Sequence, residues 1–367
     1  MLFLIIAILV LLVLLIVSYR FRATPKIALV STGATGYASS DHTAFPIDML
    51  IAKTSMDTGM VPLKVGKDIT FRKVKHVVSE DSKPVIQEKL EDVFEELYQA
   101  GIRFYVGAFT TSELLELRGF AAKRPDIVIM TTSSTSPVLE TADNIYRFVP
   151  SDTRSAPLYA RIIVENSRRK KYVLCYDEKV DYAEKLAGLL SSQPELRGTL
   201  SKIFKSHEIA ESATFADSVG ADLIILTDDP SDVDAIPNDF AGSIFMSDLV
   251  AFYPYTADRR VKIERMGIMS FYPRVMAEEC EAFGRTVVGR SVSPFTYNIL
   301  IALWYISDMY HAGSKTLSTA HITYQKLFLP NGDCALAHSA LAEIEDGEWT
   351  TVAGATHNPY NKSFYYH

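Results

Sequence analysis

Apolar residues in this chain fall into short unbroken runs, separated by stretches in which they recur every three or four positions. The runs have the pattern of strands buried on both faces, and the spaced stretches that of helices with one buried side. Lys26 to Ser31 reads as the first strand, followed by a Gly- and Ser-rich loop (Thr32 to Ser40) and a helix over Asp41 to Thr58. Val74 to Val78 predicts a second strand, and Pro84 to Ala100 a helix with Val85, Leu90, Val93, Phe94 and Leu97 on one face. Arg103 to Ala108 is a strand, Ser112 to Lys123 a helix, and Asp126 to Met130 a strand. Strands separated by helices of this length make βαβ units and a parallel sheet.

A second series follows Pro150. Leu158 to Asn166 is helical, Tyr172 to Tyr176 a strand, and Asp181 to Leu190 a helix. Leu200 to Lys205, Ala221 to Leu226, Ser243 to Met246 and Met266 to Phe271 are strands, and Phe295 to Tyr310 is a long apolar helix. Ala335 to Val352 alternates like a hairpin around the turn signal Asp346-Gly347-Glu348. Two α/β series of similar size predict two lobes, each with its own sheet.

One stretch breaks the pattern in an informative way. The run Ile127 to Met130 passes directly into six consecutive hydroxyl residues, Thr131 to Ser136, and then Pro137. Hydrogen-bonding groups at a strand's carboxyl end stand where open α/β sheets bind ligands, although a polar surface turn has the same composition.

Composition narrows the class. With 367 residues, 48% of them hydrophobic, the chain can bury one large or two medium cores. A net charge of −7 leaves no basic footprint for nucleic acid, and the dense cationic run Arg168 to Lys171 reads as a solvated edge. Cys175, Cys280 and Cys334 have no metal-ligand spacing and imply no disulfide framework.

The first 19 residues, Met1 to Tyr19, carry no charge and would make about 28 Å of helix, enough to span a bilayer. Neither a basic n-region nor a small-residue cleavage site is visible, so an uncleaved anchor over residues 1–22 is expected rather than a signal peptide. Arg20, Arg22 and Lys26 after the span favour a body on the cytoplasmic side.

Longer combinations of residues carry a family resemblance. Gly101-Ile102 leads into Tyr105-Val106-Gly107-Ala108, followed by Thr110-Thr111-Ser112, Thr131 to Leu139, and Asn144-Ile145-Tyr146-Arg147-Phe148-Val149-Pro150-Ser151-Asp152. Together with Tyr182, Tyr297 to Tyr310, Asn331-Gly332-Asp333 and Ile344 to Val352, these stretches resemble the type I periplasmic binding-protein family. That family includes branched-chain amino-acid binding proteins and the ligand-binding domains of several receptors. The resemblance implies two doubly wound parallel-sheet lobes joined by three crossovers, with a ligand cleft between them. Lobe one would hold residues 26–153 and 280–320, lobe two residues 154–279 and 321–357, and residues 358–367 would form a tail. The tail is aromatic (Tyr360, Phe364, Tyr365, Tyr366) without periodicity, as a disordered end would be. The resemblance also implies an extracytoplasmic body, opposite to the charges after the span.

It further implies a site. Thr110, Thr111 and Ser112, with Ser133, Ser134 and Thr135, occupy two loops that hold the ligand carboxylate in amino-acid-binding relatives; such loops supply hydroxyls and free N–H groups. Asp248 lies near the position of the acid that takes the ligand ammonium, and Tyr182 would close the cleft from lobe two. Each has a plain alternative, Asp248 as a helix cap and Tyr182 as a helix-face residue. The loop Thr227-Asp228-Asp229-Pro230 departs from the family by placing carboxylates where relatives have small or aromatic residues. If Asp228 faces the cleft, a cationic or polyamine-like ligand fits as well as an amino acid. Asp229-Pro230 with Asp232 also fits an ordinary helix start.

The implied partners are a small-molecule ligand, the membrane, and a permease or receptor; no cofactor or metal is expected. Two other classes compete. A scaffold could keep the two-lobed fold without a ligand. A Rossmann enzyme would use Gly33-x-x-Gly36-x-x-Ser39, but only two of three glycines are present, with no acidic residue about 20 positions on. The chain has no Tyr-x-x-x-Lys pair and no Gly-x-Ser-x-Gly elbow.

Overall fold

The computed structural model describes residues 26–32, 69–74, 76–78, 84–139, 144–227, 230–247, 266–270, 298–300, 302–303, 306, 337–345, 348–358 and 363–366. The apolar run 1–19, the helix expected over 41–58, Asp228 and Asp248 lie outside them. No helix among the described residues is long and apolar enough to cross a membrane.

Sheet one contains β1 (Ile27–Ser31), β2 (Ile69–Lys73), β5 (Phe104–Gly107), β6 (Val128–Thr131) and β7 (Ile145–Arg147), in the order β2-β1-β5-β6-β7 with every pair parallel. The helix α1 (Leu90–Gln99) leads into β5, and α2 (Thr111–Ala122) crosses from β5 to β6. Leu90, Val93, Phe94 and Leu97 recur at helical spacing, so α1 buries one face, and Phe94 stacks on Tyr105 of β5 at 4.6 Å between ring centroids.

Two expectations over this stretch are corrected. The strand expected at 74–78 divides: β2 ends at Lys73, Val74 donates its N–H to the Ser31 carbonyl, and β3 (His76–Val78) leaves the sheet. The helix expected from Pro84 begins at Leu90, because Pro84–Ile86 forms β4, antiparallel to β3. Val85, placed on the helix face by spacing, is therefore a strand residue. β2 is an edge strand of mixed polarity (Ile-Thr-Phe-Arg-Lys) and has no apolar run to reveal it.

The crossover helix α3 (Asp152–Asn166) starts before the expected Leu158 and carries Pro157 inside it. Sheet two has the order β15-β14-β13-β12-β11-β10-β8-β9. Its parallel part is β8 (Tyr172–Tyr176), β9 (Leu200–Lys205), β10 (Asp222–Leu226), β11 (Ile244–Met246) and β12 (Met266–Ser270). The helices α4 (Asp181–Ser192), α5 (Pro194–Arg197) and α6 (Ile209–Val219) run between these strands. The expected hairpin is present as β13 (Ala337–Glu345) and β14 (Glu348–Asn358), antiparallel and added to β12. The aromatic end is a strand rather than a disordered tail: β15 (Ser363–Tyr366) pairs with β14. A sheet edge supplies backbone partners that no periodicity in residues 358–367 announces.

Sheet two is covered on both faces. Leu174, Ile224 and Leu226 pack with α3 and α4, while Val173, Cys175, Leu223 and Ile225 pack with α6. Cys175 is free and buried, and burial pushes its thiol up to about 12. The parallel strands of both sheets follow one plan, in which the first strand lies between the second and the third. The order reverses between β1 and β5 in sheet one and between β8 and β10 in sheet two. Ligands of open α/β sheets bind outside the carboxyl ends of strands at such reversals.

Candidate functional site

At the carboxyl edge of sheet one, Thr32 follows β1, Thr110 to Glu113 follow β5, and the hydroxyl run follows β6. Thr110 caps α2. Its hydroxyl accepts from the Glu113 N–H, and the Glu113 carboxylate accepts from the Thr110 N–H at 2.7 Å, a reciprocal capping box. Thr111 Oγ1 and Ser134 Oγ are 2.8 Å apart and join the two loops. Ser133 donates its hydroxyl to the Phe109 carbonyl at 2.8 Å, and Thr131 donates to the same oxygen at 3.3 Å. The carbonyl of Thr135 accepts from the Asp152 N–H, and that of Ser136 from Nη1 of the fully buried Arg147 at 2.7 Å.

The structure thus gathers Thr110, Thr111, Ser133, Ser134 and Thr135 at one edge, with Ser112 exposed on the first turn of α2. Most of the expected site hydroxyls are engaged inside the lobe, wiring one strand end to the next. What the edge offers a polar group is the exposed Ser112, the partly exposed Thr111 and Ser133, and the amino terminus of α2 with its partial positive charge.

On sheet two the carboxyl edge carries charges of both signs. Asp177 and Glu178 follow β8, and the Glu178 carboxyl is held below the usual range by its own backbone N–H, then by nearby Lys205 and His207. His207 Nδ1 lies 3.2 Å from Glu178 Oε1. Thr227, buried after β10, donates its hydroxyl to Asp232 at 2.6 Å, and Ser247 donates to the Thr227 carbonyl. The short 3-10 helix Pro230–Ala235 starts at Pro230, in line with the ordinary helix start. Tyr182 sits in the first turn of α4, half-buried against the α3 side of the core.

Sequence inspection passed over Glu113, although Thr110-x-x-Glu113 is a legible capping signature. It is almost fully buried at the strand-order reversal; Thr32 approaches its side chain, and Oε1 has no hydrogen-bond partner. Burial pushes its carboxyl up from the ordinary value, partly offset by the bonds from Thr110 and Thr32. Stability from a group with a raised folded pKa is fully present below the unfolded value and is lost as pH rises through the folded one. Glu113→Gln, which keeps an acceptor for the Thr110 N–H, should therefore be more stable than the parent chain at neutral pH. The gap should close as pH falls to the ordinary carboxylate range. Urea denaturation at pH 7 and pH 4 checks this, and a gap equal at both would contradict it.

Among the described residues no cluster of His, Cys, Asp or Glu is suited to hold a metal ion. Sequence comparison finds no matching family model and no matching curated protein. Comparison of folds finds many solved structures. An ABC transporter substrate-binding protein from Desulfitobacterium hafniense, in complex with Leu, aligns at 13% identity and a TM-score of 0.64, over 89% of this chain and 99% of that one. A branched-chain amino acid transporter substrate-binding protein from Streptococcus pneumoniae, in complex with isoleucine, aligns at 15% identity and 0.64, over 90% and 99%. An ABC transporter solute-binding protein from Rhodopseudomonas palustris, in complex with 3,4-dihydroxybenzoic acid, aligns at 12% identity and 0.67, over 90% and 96%. The chain has the fold of the type I periplasmic binding proteins. The expected parallel-sheet α/β architecture is thereby met.

Proposed function

We propose that the chain is a membrane-anchored solute-binding protein that closes its two lobes over a small polar ligand, an amino acid or a relative. It would pass the ligand, or the closed state, to a membrane permease or receptor. The observation that carries this reading is the exposed Ser112 and partly exposed Thr111 at the amino terminus of α2, in the loop after β5 that borders the strand-order reversal. The solved structures of this fold named above hold Leu, isoleucine and an aromatic acid, each carrying a carboxylate. The body would be extracytoplasmic; protection of it from external protease in intact membranes would reverse that side.

A second reading rests on a specific observation. Thr110, Thr111, Ser133 and Ser134 have partners within the lobe, as they would in a scaffold that keeps the fold without a ligand. A thermal-shift screen of amino acids, amides and polyamines on the full chain in detergent separates the two. A ligand at a hundredfold excess over its dissociation constant stabilises by about 2.7 kcal/mol, and Ser112→Asp, which places a negative charge at the α2 amino terminus, should abolish the shift for carboxylate ligands. No shift with any of these compounds would favour the scaffold.

A further inference from the structure

The start of β1 lies at the amino edge of sheet one. Ile27 is level with Phe104 of β5 and, through β5, with Val128 of β6, so the residues just before these strands share one face of the lobe. That face carries exposed Lys26 and Lys123, together with Arg103 and Arg124. Both guanidinium groups stand over the Tyr98 ring, Arg103 at 3.9 Å and Arg124 at 5.0 Å from its centroid. Asp126 pairs with Arg103 at 2.7 Å and Glu95 with Arg124, so among the described residues of this face Lys26 and Lys123 stand outside these ion pairs. Lys26 is fixed where it stands, its Nζ donating to the Ala100 carbonyl at 3.0 Å and its own carbonyl accepting from the Arg103 N–H.

Resting on the anchor reading above, the distance from bilayer to lobe follows from the chain. Only Arg20 to Lys26 separate the charge-free run from β1, at most about 25 Å when fully extended. β1 is second from one side of sheet one, with a neighbouring strand on each side, so this tether holds that part of the amino edge close to the membrane. We propose that the amino edge of sheet one, with Lys26, Tyr98, Arg103, Lys123 and Arg124, lies against an anionic bilayer surface. Tyr and Arg suit the interfacial layer. The five residues of β1, about 17 Å, then separate the bilayer from the carboxyl edge that carries the site.

Lysine acetylation footprinting of the full chain tests this without substitutions. In nanodiscs containing phosphatidylserine, labelling of Lys26 and Lys123 should fall several-fold relative to detergent, while exposed Lys171 and Lys185 of the second series keep their labelling. Equal labelling of Lys123 and Lys171 in chains that co-purify with the nanodiscs would overturn the orientation and leave the anchor standing. Failure to co-purify would remove the anchor itself, and the proposal with it. The same protection in purely zwitterionic nanodiscs would overturn the assignment to an anionic surface.

Discussion

Replacing Asp222 with alanine is expected to cost about 3–5 kcal/mol of stability. Asp222 opens β10 and is fully buried. Its Oδ2 accepts from the Ser167 hydroxyl at 2.6 Å and the Arg169 N–H at 3.1 Å, and its Oδ1 accepts from the Ser243 N–H at 2.7 Å. One carboxylate thus ties the turn before β8, the start of β10 and the approach to β11. Truncation leaves these donors without their acceptor inside the fold, and an orphaned buried donor costs more than a made bond contributes. Asp217→Ala is the contrast. Asp217 pairs with Arg169 at 2.7 Å, but both side chains are partly exposed, at 21% and 34%, so its loss should cost no more than about 1 kcal/mol. Urea midpoints at unchanged m-value compare the two, and similar costs would contradict the hub role of Asp222.

Gly107→Ala is expected to destabilise by about 3 kcal/mol, whereas Gly119→Ala should stabilise by about 0.5–1 kcal/mol. A β-carbon on Gly107 would stand 2.5 Å from the Val30 carbonyl oxygen and 2.7 Å from the Phe109 ring. The first neighbour is backbone of the adjacent strand and cannot rotate away. The second belongs to the residue whose carbonyl collects the hydroxyls of Thr131 and Ser133, so the strain reaches the candidate site. Gly119 lies on the exposed side of α2 with nothing within 4 Å of a built β-carbon, and there alanine only removes backbone freedom from the unfolded chain. Chemical denaturation of both variants checks the signs, and a neutral Gly107→Ala would mean that β1 and β5 are less tightly joined than their register indicates.

The two glycines are alike in the sequence and opposite in consequence, because the space around a residue is set by strands far away in the chain. The same division holds for the fold. β1, β5, β6, β8 and β10 were legible, since a strand buried on both faces has to be an apolar run whatever its neighbours are. β2, β4 and β15 were not, because edge strands and hairpin arms take their stability from backbone pairing with partners the sequence does not name.

For the site, the sequence by itself determined that hydroxyl-rich loops follow β5 and β6, and that a charge-free apolar run precedes the first strand. Only the tertiary structure decided what those hydroxyls do. Strand order brought the two loops into contact, so Thr111 meets Ser134 and Ser133 meets the Phe109 carbonyl, and what had the look of an open polar wall is largely an internal hydrogen-bond network. The physical reason is that a hydroxyl's partner is chosen by distance in space, to which spacing along the chain is blind. Burial likewise gave Arg147, Glu113 and Asp222 their weight, through neighbours between 11 and 81 positions away in the cases of Ser136 and Thr32.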